Sequence, residues 1–393
     1  MDFKVPFGGR AHTYTEIEEQ TVIKAMRDAK TLTQGTYLKR FEAAFESYIG
    51  AEKAFAVNNA TAALEMAAQL CQLSENDEVI IPAHTFTSSA YPFAKKGGKI
   101  VWADIDLTTR VVTAETLKHC VTDNTKVIVV VHLYGYCVDM PSIMKLAKEH
   151  NIIVIEDVAQ ALGTEIDGYK AGTFGDIGIY SFHSHKNVST LGEGGMIVTK
   201  RSDFADIIPM LRHNGHCSFS YERADYWLPA MSNLEFPTLN GESLWPNNYC
   251  LGEVECALGI KLLERIDDLN REKRERANKI INALGSFDKL KFHQVDTKRH
   301  SYHLLVAECT HDMRNYFIRS MANDYGIQCV VQYYPLYRYP LYQNAGFGNA
   351  DCPNTDQFFD NMVSFPFEHQ LADAQIDYII ESAISVMKEF VKC

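Results

Sequence analysis

The chain has 393 residues, of which 46% are hydrophobic, and its formal net charge is −12 at pH 7. This length predicts one large domain with a smaller one, and the hydrophobic share is sufficient for a sizeable core. The acidic balance, without a basic tail or a stripe of Lys and Arg, argues against nucleic acid as a partner.

Cysteine usage and hydropathy bear on the compartment. Ten cysteines are scattered without a Cys-x-x-Cys pair, which argues against zinc and favours free thiols in a reducing cytosol. Residues 1–7 are charged and lack the apolar core of a signal peptide. No apolar run approaches about 18 residues, the length that a membrane span requires. We therefore expect a cytoplasmic protein with no membrane partner.

Two helices are predicted near the start of the chain. The spacing Thr15-x-x-Glu18 is typical of a capping box, and it predicts a helix that runs to about Asp28. A second helix follows Thr36, with apolar residues on one face and Gly50 as its stop.

A third helix begins at residues 59–61, and short apolar runs then alternate with helical patterns over about 200 residues. These runs are rich in β-branched residues and lack polar alternation, which is typical of parallel strands buried on both faces. The pattern predicts an α/β domain. The runs are Val79–Ile81, Ile100–Trp102, Val127–Val131 and Ile152–Ile155.

The pattern changes after residue 217. Residues 218–247 are irregular and rich in Tyr, Trp, Pro and Asn, and a loop of this length is usually functional or packs on a partner. One apolar stripe from Leu251 to Leu269 then predicts a single long helix, which ends in the charged stretch 270–276.

We interpret this helix, within residues 251–280, as a bridge between a large domain at 1–250 and a smaller α/β domain at 281–393. The smaller domain is predicted to contain strands near Tyr302–Val306 and Gln328–Gln332, and helices near Met313–Tyr325 and Ala374–Val391.

An amine and an acid stand out in the α/β region. Lys186 follows a predicted strand at Asp176–Phe182 and precedes the glycine-rich run 192–195. Asp157 ends an otherwise apolar strand, where ligands bind in open α/β sheets. These groups suggest a pyridoxal phosphate (PLP) site, where the lysine forms the Schiff base and the acid keeps the ring nitrogen protonated. Each residue considered alone has another interpretation. Lys186 can be a surface lysine, and Asp157 can cap a helix that begins near Ala159.

A phosphate site is predicted where Asn59, Ala60 and Thr61 precede a helix, because small residues at a helix N-terminus offer backbone N–H groups and a favourable dipole. Ser181 can add a hydroxyl to the same phosphate. The alternative is a plain N-cap.

Aromatic and polar candidates follow the same strands. Phe86 can stack on the cofactor ring, and the alternative is an ordinary phenylalanine of the hydrophobic core. Gln160 can donate a hydrogen bond to the ring oxygen, and the alternative is a polar residue without a role in the site. His183 and His185 would share one face of a strand, but no third ligand stands at a characteristic spacing, so no metal is expected.

In this order, the stretches resemble the DegT/StrS group of sugar aminotransferases, which are fold-type I PLP enzymes, over nearly the whole chain. Single pieces are weak evidence, but together and in the right order they are highly specific. The matching segments include 33–35, 59–64, 82–86, 104–106, 132–135, 156–161, 174–176, 181–186, 192–195, 248–249 and 333–336.

The resemblance implies a large domain with a doubly wound, mostly parallel, seven-stranded sheet and a smaller C-terminal α/β domain. It implies that Lys186 forms the Schiff base and moves the proton between two carbons, and that Asp157 pairs with the pyridinium. Gln160 would bond the ring oxygen and Phe86 would stack on the ring. The implied phosphate contacts are Ala60, Thr61, Ser181 and, from a neighbouring subunit of a homodimer, Asn248.

Substrate roles follow from the same resemblance. The implied reaction moves the amino group of L-glutamate to a keto-sugar. The implied substrate contacts are Arg10, His183, Glu193, Arg212 and Tyr333. Because Lys186, and not a histidine, occupies the Schiff-base position, transamination is favoured over the dehydration of a related branch.

The resemblance leaves two candidates for the identity of the acceptor sugar. The first candidate is 8-oxo-3-deoxy-manno-octulosonate, for bacterial lipopolysaccharide, and the second is a nucleotide-linked 3- or 4-keto-deoxyhexose. A different class of protein, a catalytically silent PLP-binding regulator, is a further hypothesis, as is a PLP enzyme that dehydrates or epimerises such sugars.

Overall fold

The computed structural model describes residues 2–8, 12–219, 232–293, 295, 299–310 and 313–390. Its helices are α1 (Glu16–Asp28), α2 (Thr36–Ile49), α3 (Ala60–Leu70), α4 (Tyr91–Lys95), α5 (Ala114–Lys118), α6 (Met140–Glu149), α7 (Ser202–Arg212), α8 (Glu253–Leu263), α9 (Ile266–Leu284), α10 (Met313–Asn323), α11 (Pro340–Asn344), α12 (Pro353–Asn361) and α13 (Asp373–Phe390). Its strands are β1 (Lys53–Val57), β2 (Glu78–Pro82), β3 (Lys99–Ala103), β4 (Thr125–Val131), β5 (Ile153–Asp157), β6 (Glu165–Ile166), β7 (Tyr169–Lys170), β8 (Ile177–Ser181), β9 (Gly195–Thr199), β10 (His216–Cys217), β11 (Asn233–Leu234), β12 (Thr238–Leu239), β13 (Glu242–Ser243), β14 (Leu290–Phe292), β15 (Leu305–Cys309) and β16 (Met362–Phe365).

A seven-stranded sheet forms the centre of the molecule, in the order β1-β9-β8-β5-β4-β2-β3. Strands β8, β5, β4, β2 and β3 run parallel, whereas β9 pairs antiparallel with both β1 and β8. Apolar clusters cover both faces, which is why these strands are almost continuously apolar. The predicted mostly parallel, seven-stranded α/β fold is therefore confirmed.

The two N-terminal helices form as the sequence indicates. The Thr15 hydroxyl and the Glu18 carboxylate make the reciprocal capping box of α1, and α2 ends at Gly50 with φ 78°. A buried carboxylate on α8 caps α2, because Glu253 accepts three backbone N–H groups from residues 35–38. A Cβ atom at Gly35 would lie 2.5 Å from Glu253 Oε2, so this close contact requires glycine.

The single long helix predicted from the apolar stripe is wrong. The structure has two helices, because α8 ends at Leu263 and α9 begins at Ile266, and the charged stretch 270–276 lies inside α9. Leu262, Ile266 and Leu269 are all buried, so the apolar spacing continues through the break. The charged residues continue α9 because its buried face includes Ala277, Ile280 and Leu284.

The C-terminal region has its own apolar cluster around the antiparallel sheet β14-β15-β16, with α10 and α13 packed on it. The strand predicted near Tyr302–Val306 is β15, displaced to Leu305–Cys309. The strand predicted at Gln328–Gln332 is wrong, since this segment contributes only an isolated bridge from Val330 to Ser364. The two domain boundaries, at 250/251 and 280/281, stay predictions.

Hydropathy and cysteine chemistry add two facts. Across the described ranges, no helix combines the length and the apolar character that crossing a membrane requires. The nine cysteines within those ranges have free thiols.

Candidate active site

A cavity of about 790 Å³ opens at the carboxyl ends of the parallel strands. The ends of β5 and β8 supply Asp157 and Ser181, and the N-terminus of α3 supplies Ala60 and Thr61. Residues from the C-terminal region, among them Tyr333, close the other side. The sheet topology thus brings distant parts of the sequence to one place.

Lys186 lies in the loop after β8 and lines this cavity. Burial lowers the pKa of its amine to about 8, although the nearby Asp157 carboxylate acts in the opposite direction. A lower pKa leaves more of the amine neutral near physiological pH, and the neutral amine is the nucleophile. The surface-lysine reading therefore does not describe this residue.

Asp157 is buried at the end of β5. Its Oδ2 accepts a hydrogen bond from the Ser89 hydroxyl at 2.7 Å, and its Oδ1 accepts one from the Ala159 backbone N–H at 3.0 Å. The carboxylate thus bonds the start of a turn and lines the cavity, and the helix that the helix-cap alternative requires does not form after Asp157. Its remaining lone pairs can accept a hydrogen bond from a donor such as a protonated ring nitrogen.

The neighbouring acid, Glu156, fixes the end of β5 from the opposite face of the strand. Its carboxylate accepts backbone N–H groups of the segment 172–175 at 2.6 to 2.8 Å. His132 Nε2 lies 3.0 Å from the same carboxylate, while His132 Nδ1 accepts the Val138 N–H. Because Nδ1 is an acceptor here, Nε2 carries the hydrogen and donates to Glu156.

The N-terminus of α3 points backbone donors at the cavity. The Asn59 side chain caps the helix by accepting the Ala62 N–H at 2.8 Å. Within the described chain, no acceptor contacts the backbone N–H groups of Ala60 and Thr61. Both residues line the cavity together with Ser181. Free N–H groups at a helix N-terminus bind phosphate.

The glycine-rich run serves this arrangement by permitting close packing. A Cβ atom at Gly195 would lie 2.6 Å from the carbonyl carbon of Asn59 and 2.7 Å from the Ala60 nitrogen. Strand β9 therefore approaches the start of α3 only because residue 195 is glycine.

Aromatic and amide groups flank the centre of the cavity. Phe86 is 54% exposed even though it lines the cavity, and its ring makes an edge contact with Tyr333 at 6.3 Å between centroids. Gln160 accepts the Tyr134 N–H at 2.7 Å and donates to the Tyr333 hydroxyl at 3.0 Å. Burial raises the pKa of Tyr333 to about 12, which keeps this hydroxyl protonated.

Two predicted substrate contacts lie at the mouth of the cavity. His183 Nε2 is 3.8 Å from Glu193 Oε1, and both side chains are accessible to solvent. His183 Nδ1 accepts the backbone N–H of His185. These side chains are free to contact a ligand that enters the cavity.

Two predicted residues do not line the cavity of this chain. Arg212 is buried and donates to Glu42 and to the Ala56 carbonyl, so its charge already has a partner. Asn248 is exposed and lies beside His213 through a backbone bridge. Arg10 lies outside the described residues.

The sequence did not indicate several residues of the site, among them Ser89, Lys273, His303 and Glu368. Ser89 bonds Asp157, and the other three line the cavity from α9 and the C-terminal region. Ser89 follows the matched segment 82–86 closely, which is a usable signal. The other three carry no local pattern, because the cavity gathers them only after the C-terminal region folds back.

Comparison with known proteins decides the family. The sequence profile of the DegT/DnrJ/EryC1/StrS aminotransferase family matches residues 13–383. The chain belongs to this family. It is a PLP-dependent aminotransferase, and the predicted resemblance, cofactor and enzyme class are confirmed.

Similar sequences extend over almost the whole aminotransferase. Spore coat polysaccharide biosynthesis protein SpsC of Bacillus subtilis is 30% identical over 394 residues, which cover 99% of this chain and 97% of the relative. The GDP-perosamine synthase of Caulobacter vibrioides is 30% identical over 377 residues, which cover 94% and 95%.

Solved structures superimpose closely on the aminotransferase. An aminotransferase from Psychrobacter cryohalolentis has a TM-score of 0.88 and 27% identity, with coverage of 98% of this chain and 99% of that chain. The PLP form of the putative sugar aminotransferase Spr1654 from Streptococcus pneumoniae has a TM-score of 0.83 and 25% identity, with coverage of 97% and 98%.

The residues of the cavity fit PLP. The two free N–H groups at the start of α3 suit its phosphate, and the Asp157 carboxylate suits its ring nitrogen. The accessible ring of Phe86 offers a stacking surface, and the amine of Lys186 suits the aldehyde.

Proposed function

We propose that the enzyme transfers the amino group of L-glutamate to a keto-sugar. The observation that carries this proposal is the presence, in one cavity, of the half-buried Lys186 amine and the Asp157 carboxylate beside the free N-terminus of α3. The full set of groups that transamination requires is present, which favours catalysis over a silent regulatory role.

Bound PLP would withdraw electrons from the substrate, so that the carbon that bears the amino group can lose its proton. Residues of the chain move the proton and hold the cofactor and the substrate in place. Lys186 takes and returns that proton, a task suited to an amine whose pKa is lowered to about 8. Asp157, fixed by Ser89 and Ala159, holds the ring nitrogen in its protonated form. Tyr333, fixed by Gln160, presents a protonated hydroxyl at the cavity.

Two classes of acceptor are candidates. The 30% identity to a GDP-perosamine synthase supports a nucleotide-linked 3- or 4-keto-deoxyhexose. The octulosonate, 8-oxo-3-deoxy-manno-octulosonate, is the other candidate. The accessible His183 and Glu193 at the mouth, together with Tyr333 inside, are the proposed sugar contacts, because hydroxyls bind such groups well.

The half-reactions test the proposal directly. Mixing the PLP-loaded enzyme with L-glutamate is expected to convert the visible absorbance to that of the amine form and to release one 2-oxoglutarate per site. Each keto-sugar candidate is then added, and only the true acceptor is expected to restore the original spectrum. A PLP-loaded enzyme that releases no 2-oxo acid with any amino acid would instead identify a silent regulator. A sugar that is dehydrated or epimerised without release of 2-oxoglutarate would identify the third hypothesis.

We also propose a homodimer in which Asn248 of one subunit reaches the cofactor phosphate of the other. Asn248 is exposed and is not among the residues that line the cavity of its own chain. Large apolar side chains nearby in sequence are exposed as well, among them Trp245 at 75% and Phe236 at 46%. Exposed aromatic residues of this size are typical of an interface.

Subunit complementation tests this arrangement. Homodimers of Asn248→Ala and of Lys186→Ala are each expected to be nearly inactive. After the two variants exchange subunits, about a quarter of the wild-type activity should return, because half of the random dimers are mixed and each mixed dimer has one intact site. Asn240→Ala, an exposed amide in the same region, serves as the matched control and should not impair activity. A mixture that stays inactive, or an active Asn248→Ala homodimer, would contradict the proposed role.

A further inference from the structure

A second lysine lies in the active-site cavity. Lys273, on α9, is only 4% exposed and is one of the cavity-lining residues. Its Nζ donates to Asn187 Oδ1 at 3.0 Å and to the His303 carbonyl at 3.4 Å, and it lies 5.0 Å from the centroid of the Phe367 ring. These partners are uncharged, so the ammonium charge is not neutralised by them.

An acidic residue, Glu368, acts on Lys273 without forming an ion pair with it. Burial lowers the pKa of Lys273 to about 8, and the Glu368 carboxylate opposes this shift from a distance. Glu368 itself accepts the Gly8 N–H. Over the described ranges, no carboxylate lies within ion-pairing distance of Lys273. An ammonium has three N–H donors, and two are used, so one donor is free.

Burying a cation raises the free energy of the folded protein unless an anion lies close to it. Apart from Lys186, whose amine carries the cofactor, Lys273 is the only Lys or Arg among the described residues that line the cavity. The natural counter-ion is therefore an anionic group of a ligand in the same cavity. The free backbone donors at the α3 N-terminus suit the cofactor phosphate, so the anion near Lys273 belongs to a substrate.

We propose that Lys273 binds a carboxylate of the amino donor. This inference rests on the proposed function, in which the donor is an α-amino acid. Every such donor brings a carboxylate into the cavity, whereas a keto-sugar need not. The position of Lys273 agrees, because Lys273 and Lys186 line the same cavity, and both ammonium groups add to the effect of burial in lowering the pKa of His303.

A purely structural role would not need this charge. The Asn187 side chain also donates to Asn270 Oδ1 at 3.0 Å and to the Ser301 carbonyl at 3.2 Å. Asn187 is therefore held by two contacts that do not involve Lys273, and a neutral donor at position 273 would satisfy its remaining oxygen.

The test compares two neutral variants with a surface control. Lys273→Met removes the charge at similar length, and Lys273→Gln keeps a neutral donor for Asn187. Lys279→Met is the matched control, because Lys279 is on the same helix but pairs with Asp377 at the surface. All are measured as PLP-loaded protein, and thermal midpoints and visible absorbance confirm that each folds and binds the cofactor.

Three probes separate carboxylate binding from general damage. Calorimetry gives the dissociation constant of maleate, an unreactive dicarboxylate. Stopped-flow absorbance gives kcat/KM for the half-reaction with L-glutamate. The same method gives the rate with methoxyamine, an amine without a carboxylate. Both Lys273 variants are expected to weaken maleate binding and to lower kcat/KM for glutamate by about 10- to 100-fold, the usual value of a charge-assisted hydrogen bond. The methoxyamine rate should match that of Lys279→Met.

Unchanged maleate and glutamate values in Lys273→Gln would overturn the inference, as would an equal loss with all three probes. If Lys273 binds only a carboxylate of the sugar acceptor, kcat/KM for glutamate stays unchanged even where maleate binding weakens, and that result would also overturn the inference. If the wild-type enzyme does not react with glutamate, the proposed function fails, but maleate binding still decides whether Lys273 binds a carboxylate.

Discussion

A Lys186→Ala variant is expected to lose turnover by at least about 10⁴-fold, because it loses both the group that carries the cofactor and the base that moves the proton. The visible absorbance that arises when PLP is bound covalently should disappear as well. The wild-type amine is suited to these roles because burial lowers its pKa to about 8. Steady-state rates and absorbance spectra of the purified variant measure both effects.

The matched control for this variant is Lys279→Ala, which removes an exposed lysine that pairs with Asp377 outside the cavity. The control should keep the spectrum and the rate of the wild type. Covalent PLP absorbance that persists in Lys186→Ala would show that a different amine carries the cofactor.

The second large effect is expected for Asp157→Asn. Asparagine has nearly the same shape and can still accept a hydrogen bond from Ser89 or Ala159, so the fold should be retained. It cannot stabilise a positive charge on the ring nitrogen. We expect kcat to fall by about 10²- to 10³-fold, the usual cost of losing one preorganised electrostatic partner. The half-reaction with L-glutamate measures this fall.

Asp203→Asn is the control for the aspartate change, because Asp203 is a surface carboxylate that pairs with Arg201. It should leave the rate unchanged. If Asp157→Asn transaminates as fast as Asp203→Asn does, the assigned role of the buried carboxylate is wrong.

The sequence predicted the part of the site that follows the ends of strands. Asp157 and Ser181 end apolar strands, and the Asn59 cap begins a helix, so local patterns place all three at one edge of a parallel sheet. Lys186 follows in the next loop. The family resemblance added roles to these positions, and the sheet order shows why they meet.

The other side of the cavity could not be read from local patterns. Lys273 belongs to a charged stretch that is typical of a solvent-exposed helix end, but it lies at helical spacing between the buried residues Leu269 and Ala277 and shares their face of α9. The break between α8 and α9 is also hidden, because the apolar spacing continues through it. Residues such as Glu368 and His303 enter the cavity only through long-range packing of the C-terminal region.

The proposed chemistry depends most on a covalent bond between PLP and the Lys186 side chain. Borohydride reduction of the PLP-loaded enzyme, followed by proteolysis and mass spectrometry, tests this bond directly. We predict one pyridoxyl phosphate group per chain, on the peptide that contains Lys186. A label on Lys273 or on any other lysine, or no label at all, would contradict the account.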